Sequence, residues 1–205
     1  MSTINEENVI PAQQHGASSD TEARAAFQSP EEAKNFFQVV KQRLLQVNNW
    51  QTWAGAATAS FQLTDATGKD VDRTVQQGDH FKIDIPGPGP ITGDGFDWVQ
   101  VETIEEAASG DGELVSIQVR PATNPNNNRS DVAHFFDEEA SSCFVVKRDG
   151  NTVSAAVHGR NEKPNTHAEK VVDKARNAAV ATGAITAFSK LQWKSLVQGL
   201  VKEEK

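Results

Sequence analysis

The hydrophobic period of this chain changes from helical to strand-like near residue 50, and that change limits the folds open to it. Before it, Ala33, Phe36, Phe37, Val40, Leu44 and Val47 recur at helical spacing, with Lys34, Gln38, Lys41, Gln42 and Gln46 on the other positions. Ser29-Pro30-Glu31-Glu32 precedes this run. It supplies an N-cap hydroxyl, a proline at the first helical position and an acidic residue three places on. The pattern predicts an amphipathic helix of about 18 residues, closed by Asn48-Asn49.

After residue 50 the apolar residues alternate, as strands with one buried face require. Ala57, Ala59, Phe61 and Leu63 form the first such run, and Asp65-Ala66-Thr67-Gly68 turns the chain toward a weak strand near Val71–Val75. Phe81, Ile83 and Ile85 form another run, which Pro86 ends. A strand from about Phe96 to Ile104 follows, then the turn Ser109-Gly110-Asp111-Gly112 and the alternation Val115, Ile117, Val119. Beyond an Asn-rich loop at 124–128, Cys143–Arg148 and Asn151–His158 flank Asp149-Gly150, a strong hairpin signal.

A second capping box, Thr166-His167-Ala168-Glu169, opens a helical stretch to about Val201. Its first half carries small residues, among them Ala175, Ala178, Ala179 and Ala181, and its second half large ones, with Gly183 marking a kink or break between them. Residues 1–28 are polar and read as an N-terminal tail, in which Asp20 would cap a short helix to Phe27. The expected class is α+β: a single domain over 29–205, with a strongly bent antiparallel sheet of six or seven strands. An N-terminal helix and a long C-terminal helix pack on that sheet. Over residues 30–202 this order resembles the helix-grip fold of START-like lipid-binding proteins, except that no clear strand precedes the first helix.

Composition enters mainly by exclusion. One Cys rules out a disulfide scaffold and a Cys-ligated metal site, and the five His residues fall at no metal-ligand spacing. No phosphate-binding glycine loop is present, and no cofactor is expected. The lack of a long apolar run argues against a membrane span, and the lack of a basic leader suggests a cytoplasmic protein. The net charge of −8 argues against nucleic-acid binding.

That charge is localised. Asp84, Asp94, Asp97, Glu102, Glu105, Glu106, Asp111 and Glu113 lie between Ile83 and Val119, a span without Lys or Arg. The remainder of the chain holds as many basic as acidic residues. The same span contains the Pro/Gly alternation at 86–90, which must be a stiff, shaped loop, and Trp98 directly after it. Asp94 and Asp97 could offer oxygens to calcium, although the EF-hand pattern is missing.

The leading expectation is a non-catalytic binding or assembly module using an acidic face and rigid loop, with Pro88, Asp94, Asp97, Trp98 and Glu102 at its centre. Its partner would be another protein or a second copy of the chain. The alternative is a carrier for a small apolar ligand held between the sheet and the last helix. A third reading, a hydrolase-type enzyme, needs His80, His158 and Asp84 to converge.

Overall fold

The computed structural model describes residues 4–55, 58–86, 89–165 and 185–203, with side-chain detail in the last segment from Lys190. Seven strands form one antiparallel sheet: β1 (Ala17–Ala26), β2 (Ser60–Thr64), β3 (His80–Asp84), β4 (Asp97–Ser109), β5 (Gly112–Pro121), β6 (Ser141–Asp149) and β7 (Thr152–Glu162). Their spatial order is β1-β7-β6-β5-β4-β3-β2, so β1 and β2 are the edges. Helix α1 (Pro30–Leu45), the short α2 (Trp50–Ala54) and α3 (Ile185–Leu200) cover one face. The class is thus the expected α+β arrangement with N- and C-terminal helices.

The caps work as their chemistry requires. Ser29 Oγ accepts the Glu32 amide at 3.2 Å, with Pro30 at the first helical position. Ala33, Phe37, Val40 and Leu44 are buried on the sheet-facing side. The helix ends at Leu45, slightly earlier than expected, and a 3-10 turn at Val47–Asn49 leads into α2. Asn48 joins this exit to the sheet edge by accepting Leu63 N–H at 2.6 Å and donating to Val71 O at 2.9 Å. In the β6–β7 hairpin, Asp149 pairs with Thr152. Gly150 therefore takes the first of two loop positions, where its φ of +56° is needed.

Two expectations are corrected. Residues 17–26 are neither tail nor helix: they form β1, paired with β7 in register from Ser19↔Gly159 to Ala26↔Thr152. The inward positions of β1 are Ser19, Thr21, Ala23 and Ala25, half-buried yet too small to signal a strand by hydrophobicity. This is the strand missing from the helix-grip likeness. The weak strand at 71–75 does not form, and a single bridge, Thr64↔Asp70, marks where the chain passes β2.

The inner face of the sheet carries the main core. Phe61 and Leu63, Phe81 and Ile83, Val99 and Val101, Val115 and Ile117, Phe144 and Val146, and Val153 and Val157 alternate inward along their strands. Trp50 sits at the centre, fully buried, with ring centroids 5.3, 5.5 and 4.7 Å from Phe61, Phe81 and Phe144. Its indole N–H donates to Leu44 O at 2.9 Å, which resolves the one polar atom of an otherwise apolar side chain. A bulge between Val101 and Thr103 leaves Glu102 as the extra residue of β4, and bulges of this kind bend and twist a strand.

The convex face has its own small cluster of Leu114, Cys143 and Val145, covered by Ile4 and Val9. Residues 4–16 therefore lie across the outside of the sheet. Asn161 accepts the Gln14 amide at 2.8 Å and donates its own amide N–H to Gln13 Oε1 at 2.9 Å.

Candidate functional site

The acidic span divides on folding into buried structural groups and paired surface groups. Asp97 is 1% exposed and accepts the Phe135 amide at 3.1 Å. Trp98, also 1% exposed, donates its indole N–H to Gly93 O at 3.1 Å, so it holds the 89–96 loop from beneath. Glu102, at the bulge, accepts from Arg120 Nε at 2.7 Å and Gln118 Nε2 at 2.6 Å. Asp94 lies on the surface with φ +54° and accepts from Asn124 at 2.9 Å and Asn127 at 3.1 Å. Pro88, with Gly87, lies outside the described residues.

The remaining charges find partners that local sequence could not reveal. Lys41 of α1 pairs with Glu106 at 2.5 Å, and Arg148 of β6 pairs with Glu113 at 2.7 Å. Arg129 lies 4.0 Å from Asp94. The basic residues come from outside the span, and they reach four of its eight acidic groups. Asp84, Glu105 and Asp111 remain as exposed acids on separate elements.

The catalytic trio does not assemble. His80 and His158 lie on β3 and β7, four strand steps apart in the sheet, or roughly 19 Å at ~4.8 Å per step. His80 is buried against Trp98, and burial pushes its pKa below the usual histidine range. His158 instead engages Glu6 and Asp20. Cys143 is also unsuited to nucleophilic work: burial, with Glu6 and Glu105 adding to it, pushes its thiol up to about 12. No group of three or more His, Cys, Asp or Glu suited to a metal ion occurs among the described residues.

Sequence reasoning did not single out the seam where α3 meets the sheet and α2. Helix α3 packs against β1 and β7, while its Gln192 accepts the amide of Ala59, next to β2, at 2.7 Å. One helix thus reaches both edges of the sheet. Leu196, Val197 and Leu200 enter the core, and Trp193 packs on Phe61 and Phe144 at 6.1 and 5.2 Å. Arg43 of α1 donates to Leu200 O and Lys202 O at 2.8 and 2.7 Å, closing the helix end, and stacks on Trp53 at 4.5 Å.

Two donors in this seam are buried and unpaired. Among the described residues, Gln192 is 3% exposed and its carboxamide nitrogen has no acceptor; the Trp53 indole nitrogen is likewise buried without one. A buried donor left unpaired costs about 1–3 kcal/mol, so each calls for an explanation. Toward the β1–β7 edge, Glu162 accepts from Ser19 Oγ at 2.9 Å, and burial holds its carboxyl above the usual range despite that bond. Gly159 lies against it, where a Cβ would come within 2.0 Å of Glu162 Oε1. The small-residue half of the last helix, 166–184, lies outside the described residues.

A separate cleft of about 220 Å³ on the convex side is lined by charged groups, including Glu6, Glu22, Arg24, Lys147 and Asp149. It is smaller than the ~300 Å³ at which ligand pockets begin.

No family model matches this chain, and no curated protein does. Among solved structures, it is similar to an uncharacterised protein from Bacillus thuringiensis at 16% identity, covering 91% of this chain and 100% of that one, with a TM-score of 0.40. A Bacillus halodurans protein solved in solution matches at 13% identity over 90% and 97% of the two chains, with a TM-score of 0.45. The major latex-like protein 151 of Panax ginseng matches at 13% over 84% and 97%, with a TM-score of 0.34. Likenesses this distant carry no argument about what this chain binds. Its own architecture defines the class: an α+β protein whose bent antiparallel sheet is spanned by a C-terminal helix. Among the described residues, no helix is long and apolar enough to cross a membrane.

Proposed function

We propose that the protein is a non-catalytic carrier that holds a small, mainly apolar molecule bearing a hydrogen-bond acceptor, between α3 and the inner face of the sheet. The observation that carries this reading is Gln192. Its carbonyl is tied down by Ala59, while its buried amide donors face no acceptor among the described residues. A ligand carbonyl, hydroxyl or carboxylate would satisfy them. Trp193, packed on Phe61 and Phe144, supplies the apolar surface that the remainder of the ligand would meet.

The test is a titration with a medium-chain fatty acid, followed by Trp fluorescence and native mass spectrometry. Saturable one-to-one uptake is expected, weakened about tenfold in Gln192→Leu, the effect of losing one buried hydrogen bond of ~1.4 kcal/mol. The same affinity in both proteins, or no uptake by the wild type, would sink the assignment.

A second reading concerns the 89–96 loop, which carries Asp94 and Ile91, as a protein-docking edge. Ile91 is 40% exposed at its tip, and the loop is held stiff by Arg129 and Asn127, which donate to Ile91 O and Thr92 O at 2.5 and 3.1 Å. A rigid loop with one exposed apolar residue suits contact with a partner or a second copy. Light scattering of wild type and Ile91→Asp tests self-association. A wild-type monomer across ~1–100 μM, a range that would reveal micromolar pairing, removes the second-copy form of this reading.

A further inference from the structure

The segment over the convex face is held by a histidine with a carboxylate on each side. His158 Nε2 lies 2.9 Å from Glu6 Oε1, and its Nδ1 lies 2.6 Å from Asp20 Oδ1. A neutral imidazole has one N–H and one lone pair, so it can donate to only one of these carboxylates and must present a lone pair to the other. Only the doubly protonated ring satisfies both. The two carboxylates differ in their remaining support. Asp20 is fixed in β1 and also pairs with Arg160 at 2.8 Å. Glu6 belongs to the 3-10 turn Glu6–Asn8, and His158 is its ion-pair partner among the described residues.

What lies beneath this turn gives the contact its consequence. Ile4 and Val9 cover Leu114, Cys143 and Val145, and the Cys143 thiol donates to Val9 O at 3.4 Å. Cys143 is also the cross-strand partner of His158 on β6. Among the described residues, Glu6, Asp20 and Cys143 are thus the titratable or charged groups around the ring from the three elements beside it, with Arg160 on its own strand.

We propose that residues 4–9 form a proton-governed strap, seated on the convex face while His158 is doubly protonated and lifted as it loses its second proton, uncovering Leu114, Cys143 and Val145. Burial alone would push His158 down, but the hydrogen bonds to Glu6 and Asp20 outweigh it and hold the ring above its ordinary value. The stabilisation is then complete below ~6.5, the unfolded histidine value, and fades as pH rises through the higher folded value. Because the strap lies outside the sheet and the seam inside it, this proposal stands or falls independently of the carrier assignment.

Cys143, the sole cysteine, reports the opening. Its alkylation by iodoacetamide is measured on the full chain from pH 5.5 to 8.5. At each pH the rate is divided by that of the urea-unfolded chain, which removes the intrinsic ionisation of the thiol. The normalised rate is expected to rise about tenfold across this range. In Glu6→Gln and His158→Gln it should be high throughout and independent of pH. His15→Gln should keep the step, since His15 pairs with Glu139 elsewhere along the segment. Circular dichroism identifies any variant that has unfolded, and Glu6→Gln, on the outer strap, is the one that avoids this problem. A flat wild-type profile overturns the proposal, as does a step that persists in a folded Glu6→Gln protein.

Discussion

Trp50 shows how one residue can connect sequence to core. It follows the first helix, where a large ring can serve packing or recognition equally well, and neighbouring residues do not distinguish the two. The fold does: the ring is fully buried, with its N–H given to Leu44 and three aromatic neighbours around it. Trp50→Ala is expected to cost about 3–5 kcal/mol in urea unfolding, since a cavity of that size at the centre of a packed core cannot collapse. A cost below about 1 kcal/mol would mean that the surrounding rings close the gap. Trp98 was equally ambiguous from sequence. Its neighbours Asp97 and Glu102 suggested an exposed acidic face, yet the ring lies beneath the loop and Asp97 serves the Phe135 amide.

At the scale of elements, the grip on α3 depends on a close approach. Gly199 faces α2 so closely that a Cβ would lie 2.0 Å from Trp53 O. In an exposed helix interior, glycine to alanine stabilises by up to about 1 kcal/mol. Gly199→Ala should do the reverse, destabilising by about 1–3 kcal/mol through overpacking against backbone that cannot yield. Thermal unfolding followed by Trp fluorescence measures the sign, and a raised midpoint would show that α2 and α3 can separate at no cost. Most elements were legible from period and caps: α1, the β6–β7 hairpin, and the strands at 80–84 and 112–121 have clear alternation or spacing. β1 was not, because an edge strand with Ser, Thr and Ala facing inward carries no hydrophobic period to read.

At the scale of the whole molecule, two histidines act on stability with opposite sign. Burial pushes His80 down, so it must charge on unfolding in acid, and its contribution is lost as pH falls below ~6.5. His158 is held up, and its contribution is lost as pH rises above that value. Urea unfolding from pH 5 to 9 should therefore give a maximum near neutrality. His80→Asn should flatten the acidic limb, unless the Trp98 packing also fails, and Glu6→Gln the alkaline limb. If both variants keep the wild-type curvature, the carboxylates rather than the histidines set the profile.

The sequence by itself determined α1 and the faces of the strands with clear alternation, because helical and strand periods are local properties set by the backbone geometry of a few residues. It also localised the acidic residues in one linear span. Tertiary structure decided what that charge amounts to, since Lys41, Arg129 and Arg148 come from elsewhere in the chain to meet it. It also decided the role of residues 4–26, whose strap and edge strand pack on β5, β6 and β7 rather than on each other. The seam at Gln192 was beyond sequence for the same reason. Which groups meet a buried side chain depends on residues distant in sequence, and the amide that Gln192 accepts comes from Ala59, more than a hundred positions away.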